Sequence, residues 1–136
     1  MITAVDTSVL IDVLSPDPEF GPASREAIRA ARLEGSLMAC DVVWSEVSSW
    51  FRSLEASEVV LQELDVRFAA LDPEVALAAG QVFGAYRRAG GRRDRVPADF
   101  LIGTHAWMRA DRFLTRDRGF YRTYFKRLRI VDPSQG

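Results

Sequence analysis

With 136 residues, 48% hydrophobic and 27% charged, the chain has the length and balance of one globular domain spanning residues 1–136, too short for separate catalytic and recognition domains. No apolar run approaches the roughly 20 residues of a membrane span, and Cys40, the only cysteine, excludes an intrachain disulfide or a Cys-based zinc site and reads as a buried thiol. The net charge of −1 hides an asymmetry: residues 1–86 carry five arginines against 14 acids, whereas residues 87–136 carry 13 basic residues against five acids, which points the second half toward a polyanion such as a nucleic acid.

Met1 leads almost directly into the apolar run Ile2-Thr3-Ala4-Val5, too soon for a secretory signal, so a cytoplasmic protein is expected. That run reads as a first strand with Asp6 at its carboxyl end. Thr7 or Ser8 is expected to cap a helix whose apolar residues Val9, Leu10, Val13 and Leu14 have helical spacing, and Pro16 and Pro18 stop it. A second helix is predicted from Pro22 to Glu34, ended by Gly35, then a strand over residues 36–40. Asp41 is placed to cap a helix running through Val47, Trp50 and Phe51 to Leu54, with Glu46 one turn inside it.

Ser57 is expected to open a further helix, residues 66–71 a third strand, and Asp72-Pro73-Glu74 a helix that continues to the glycines at 90 and 91. The basic loop Arg92-Arg93-Asp94-Arg95 leads to Pro97, suited to a first helical position, and to Asp99 in the first turn, where the helix dipole favours a carboxylate. Arg112 to Thr115 reads as a fourth strand with Asp117 just past it. Arg118-Gly119 reads as a turn, Leu128 to Val131 as a fifth strand, and residues 133–136 as frayed.

Strands alternating with helices predict a parallel sheet covered on both faces, with every strand's carboxyl end on one side. If the first and fourth strands are neighbours, Asp6 and Asp117 flank the crevice where strand order reverses, and Glu46 and Asp99 can enter from adjacent helices. Four carboxylates in one crevice repel unless a cation is present. An oxygen-only donor set selects a hard ion, Mg²⁺ or Mn²⁺, and zinc would want histidine or thiolate. Such an ion activates water and stabilises charge on a phosphodiester, so phosphodiester hydrolysis is the expected chemistry.

The segments DTSVLID at Asp6, SEV at Glu46, ADFLIGTHA at Asp99 and LTRDRGF at Asp117 resemble the motifs of a PIN domain, more narrowly of VapC-type toxins, over nearly the whole chain. The resemblance implies a three-layer α/β/α sandwich with a five-stranded parallel sheet of order 3-2-1-4-5. It further implies an Mg²⁺- or Mn²⁺-dependent endoribonuclease, the toxin of a type II pair, inhibited by a VapB-like antitoxin and commonly a homodimer. Carried over by motif, Asp6, Glu46, Asp99 and Asp117 are its catalytic metal ligands. Thr7, with Ser8 second, and Thr115 match the polar positions beside them, where a hydroxyl could orient a carboxylate or cap a helix.

Arg92, Arg93, Arg95, Arg116 and Arg118 flank the acidic motifs and are the candidates for RNA phosphates, one of them alternatively for the antitoxin. Asp12 lies about 240° around a helix from Asp6 and reads as a surface acid, Asp94 as a partner of its neighbouring arginines, and His105 as structural, off the face of Asp99. Trp44, Trp50, Phe51 and Trp107 read as core or subunit contact. A phosphoaspartyl phosphatase would need an Asp where Ser8 stands. The non-enzymatic alternative is a PIN-like RNA-binding or scaffold module, against which four intact acids count.

Overall fold

The computed structural model describes residues 1–92 and 97–135. Along the chain run β1 (Ile2–Val5), α1 (Thr7–Leu14), α2 (Gly21–Glu34), β2 (Ser36–Ala39), α3 (Asp41–Ser48), α4 (Leu54–Glu63) and β3 (Val66–Phe68). These are followed by α5 (Pro73–Arg88), α6 (Pro97–Arg109), β4 (Arg112–Leu114), α7 (Arg118–Tyr124) and β5 (Ile130–Val131), then a 3-10 turn, Pro133–Gln135. Every strand pair is parallel and the order is β3-β2-β1-β4-β5, as the resemblance implied.

The central strands are mostly apolar on both faces because helices cover both faces of the sheet. Val5, Leu37, Phe113 and Leu114 are nearly inaccessible, and so are Val9, Leu10, Val43, Val47, Leu61 and Phe100 on the helices packed against them. Removing each such side chain from water is worth about 1.5–3 kcal/mol. Two glycines permit close approach: a Cβ on Gly35 would collide with the Met1 carbonyl oxygen, and one on Gly103 would lie 2.5 Å from the Phe125 ring.

Several boundaries differ from expectation. Asp6 itself caps α1, its Oδ1 accepting the Thr7 amide at 2.8 Å, so neither Thr7 nor Ser8 has that role. The helix expected to reach Leu54 ends at Ser48, and the next is capped by Ser53, whose Oγ accepts the Ala56 amide at 3.1 Å. Asp41 is inside α3, where its Oδ1 accepts the Leu71 amide at 3.3 Å. Arg118 and Gly119 begin a helix instead of a turn, because Phe120 and Tyr121 one turn in are buried and pull the segment onto the core. The terminal segment is not frayed through residue 135, since Pro133 is buried near α2. Cys40 is buried as expected, and burial pushes its thiol up.

This topology puts the reversal of strand order between β1 and β4. Their register pairs Val5 with Leu114, so the residues that follow the two strands emerge side by side.

Candidate active site

Asp6 leaves β1 with its amide donating to the Leu114 carbonyl at 2.9 Å, which extends the ladder by one bond and fixes the residue against β4. Its carboxylate is held at both oxygens. Oδ1 accepts the Thr7 amide at 2.8 Å, and Oδ2 accepts the Thr115 hydroxyl at 2.7 Å. The same Thr115 oxygen accepts the Asp117 amide at 3.0 Å, so one inaccessible hydroxyl joins the side chain of one acid to the backbone of another. On the opposite flank, the Thr7 hydroxyl donates to Glu46 Oε1 at 2.6 Å and ties α3 to the start of α1. Asp99 is in the first turn of α6.

The electrostatics of the crevice follow from burial and neighbouring charge. Asp6 is 7% exposed, and its carboxyl is pushed up to about 6. Burial is the largest cause; the bonds from Thr115 and Thr7 pull it down, while the charges of Glu46 and Asp99 push it further up. Tyr121, four residues beyond Asp117 on α7, is buried with its ring edge-on to Phe113 at 4.8 Å and Phe120 at 5.0 Å. Burial first, then the charges of Asp6, Asp99, Asp117 and Glu46 raise its phenol. One phenol therefore feels all four carboxylates. The sequence signal for Tyr121 is its helical spacing from Asp117, which reading residues 118–119 as a turn hides.

The arginines divide. Arg116 does not present its fork to solvent: Nε reaches Asp12 Oδ2 at 2.7 Å and Nη2 reaches Oδ1 at 2.9 Å. Asp12 is correspondingly no surface acid but buried, 3% exposed, and it accepts the Ser24 hydroxyl at 2.8 Å. Arg118 is 39% exposed and stands 3.7 Å from Asp132. Arg92 is exposed and lines an open cavity of about 730 Å³ with Tyr86, Phe120, Thr123 and Tyr124. Arg93, Arg95 and Asp94 lie outside the described residues. His105 is buried, with its imidazole lowered chiefly by that burial. Trp44 packs edge-on against Phe68 at 5.3 Å, whereas Trp50 and Trp107 are exposed.

The donor set suits a hard divalent cation: oxygen only, with a carboxyl raised first by its burial and further by neighbours of its own sign, a cost that a cation relieves. The acids are not drawn into a closed cage, however. Among the described residues, no three His, Cys, Asp or Glu side chains already stand where together they could hold a metal ion.

A family model described as PIN domain matches residues 3–126. No curated protein matches the chain. Among solved structures, VapBC2 from Rickettsia felis bound to a DNA fragment from the promoter is similar at 14% identity and a TM-score of 0.76, covering 97% of this chain and 98% of that one. DNA-bound VapBC from Salmonella typhimurium is similar at 21% identity and 0.71, covering 98% of each chain. A toxin–antitoxin complex from Klebsiella pneumoniae follows at 16% identity and 0.70, covering 96% and 97%. At these identities the likeness is one of fold.

Proposed function

Because the chain belongs to the PIN-domain family, we infer that it is a metal-dependent endoribonuclease that hydrolyses RNA phosphodiester bonds as the toxin of a type II toxin–antitoxin pair. What supports this reading is the bonding around Asp6 at the β1–β4 reversal: Thr115 donates to Asp6 and accepts the Asp117 amide, and Thr7 beside Asp6 donates to Glu46. Asp6, Glu46, Asp99 and Asp117 would hold Mg²⁺ or Mn²⁺, which when bound supplies an acidified water and neutralises charge on the phosphodiester.

The rest is done by the chain's own groups. Thr115 holds Asp6 in one orientation and favours its charged form, and Thr7 orients Glu46. Arginines of the basic half draw the RNA backbone toward the acids, whose own charge would otherwise repel it. The toxin role, with a VapB-like antitoxin as partner, is supported by structural neighbours that are VapBC and toxin–antitoxin complexes. Exposed Trp50, Leu54, Leu77 and Trp107 offer apolar surface for that partner and for a homodimer. A cytoplasmic site of action belongs to the same reading; among the described residues no helix is long and apolar enough to cross a membrane.

The test is cleavage of total cellular RNA by purified protein with Mg²⁺ or Mn²⁺, beside EDTA and Asp6→Ala controls. Discrete fragments that need the metal and vanish in Asp6→Ala support the reading. The non-catalytic RNA-binding or scaffold alternative has one observation in its favour, the absence of a closed metal-ligating group among the described residues. RNA binding without cleavage in either metal would select it.

A further inference from the structure

Arg116 stands between two residues of the site, Thr115 and Asp117, yet its side chain reaches α1. Its fork grips both oxygens of Asp12 at 2.7 and 2.9 Å, and its guanidinium lies over the Phe20 ring with 4.1 Å between them. The carboxylate it grips is 4% exposed and also accepts the Ser24 hydroxyl at 2.8 Å, so α1, α2 and the loop after β4 meet at one ion pair. A planar fork on a fixed carboxylate leaves the arginine few conformations, which restrains the backbone on either side of it.

The consequence is a clamp at two points. Consecutive residues of the loop after β4 bind α1 at its cap and again six residues along it: Thr115 to Asp6, Arg116 to Asp12. Backbone bonds from the Asp6 amide to Leu114 at 2.9 Å and from the Thr115 amide to Val131 at 3.1 Å hold the loop only as far as Thr115. The grip of Arg116 on Asp12 extends the restraint one residue further and so limits where Asp117, the next residue, stands relative to Asp6.

The structure assigns Asp12 and Arg116 as a positioning pair for the Asp6 and Asp117 carboxylates, acting through the Thr115–Asp117 loop and not on the substrate; the assignment rests on the metal-dependent nuclease reading above. It predicts that loosening the pair weakens divalent-cation binding while leaving RNA affinity in place. An arginine serving phosphate would do the reverse.

The experiment measures Mn²⁺ binding to the full chain without RNA, from the electron paramagnetic resonance signal of free Mn²⁺. Kcat and KM on an oligoribonucleotide carrying the mapped cut are measured in parallel. The variants are Arg116→Lys, Asp12→Asn, their double and Ser24→Ala, each with its melting curve. Arg116→Lys and Asp12→Asn should each weaken Mn²⁺ binding about 10- to 100-fold, the size of loss typical when groups behind metal ligands are changed. The double should be no worse than the poorer single, and KM for RNA should stay within about twofold. Ser24→Ala keeps the ion pair and should shift Mn²⁺ affinity less, in the same direction; it and Arg116→Lys carry the test should Asp12→Asn fail to fold. Folded variants with wild-type Mn²⁺ affinity overturn the assignment, as does a raised KM in Arg116→Lys alone. Wild-type protein that neither binds Mn²⁺ nor cuts RNA removes the nuclease reading itself, and the pair's role with it.

Discussion

The Thr115 hydroxyl donates to Asp6 Oδ2 across 2.7 Å, a bond between two residues that are 0% and 7% exposed and that directly follow strands far apart in sequence. It opposes the lift that burial gives the Asp6 carboxyl. Thr115→Val removes the donor at nearly constant volume, so the Asp6 carboxyl should rise above about 6 and the acidic limb of the pH–rate profile should move to higher pH. The fold should lose about 1.5–3 kcal/mol, the range for a hydrogen bond to a charged group. Thr115→Ser should restore both. A lowered melting temperature with an unmoved acidic limb would show that the hydroxyl serves the fold alone.

Asp6 makes a second prediction, on stability. Its folded-state carboxyl sits near 6 against an ordinary 3.8, so between those values the folded protein binds more protons than the unfolded chain. The sign follows: without metal, stability falls as pH rises from 3.8 through about 6 and is level above. Asp6→Asn removes the buried charge, and the Thr115 hydroxyl can turn to accept from the new amide. The variant should be more stable than wild type at neutral pH, on the order of 2–3 kcal/mol from the size of the shift, and the advantage should vanish near pH 4. Urea unfolding in EDTA across that range decides it, and equal midpoints at neutral pH would reject it.

How much of this was legible in the sequence depended on whether the answer was local. The order of elements was, since β1, β2 and β4 are apolar runs and Asp72 with Pro73 starts α5 in the way those residues suggest; Asp72 Oδ1 does accept the Val75 amide at 2.9 Å. Asp6, Glu46, Asp99 and Asp117 were singled out by motif. The destination of a charge was not legible. Asp12 reads as a surface acid from its spacing, but it lies in an interior closed by Ser24 and Arg116, which no spacing within one helix reveals. Ser53 and Ser57 are equally good caps by type. Ser57 is taken up elsewhere, 3.1 Å from Ser48 and donating to the Ser53 carbonyl at 3.1 Å, and this leaves Ser53 to cap.

Tyr121 separates packing from polarity. Its ring fills space between Phe113, Phe120 and Phe125, while its phenol is raised by burial and by the charges of Asp6, Asp99, Asp117 and Glu46. Tyr121→Phe keeps the ring and should change stability by less than about 1 kcal/mol, whereas Tyr121→Ala should cost about 3–5 kcal/mol through the cavity it leaves. Guanidinium unfolding of both variants measures the contrast. A Phe variant as unstable as the Ala variant would mean that the hydroxyl, not the ring, holds α7 in place.

The arginines give the last prediction, because the structure has sorted them by destination. Arg92 and Arg118 reach the surface, and the Arg118 side chain is 39% exposed although it stands near Asp132. Arg116 spends its fork on Asp12. If the first two neutralise phosphates, Arg92→Gln and Arg118→Gln should each weaken binding of single-stranded RNA regardless of sequence. Each should also reduce the slope of log affinity against log salt by about 0.7, the counterion release expected per phosphate on a single strand. Arg116→Lys keeps the charge and its partner, so its slope should match wild type. Binding is best measured on Asp6→Asn protein to prevent cleavage, by fluorescence anisotropy at several salt concentrations. A reduced slope in Arg116→Lys, with Arg92→Gln and Arg118→Gln unchanged, would reverse the sorting and place the RNA backbone over the α1 side of the site.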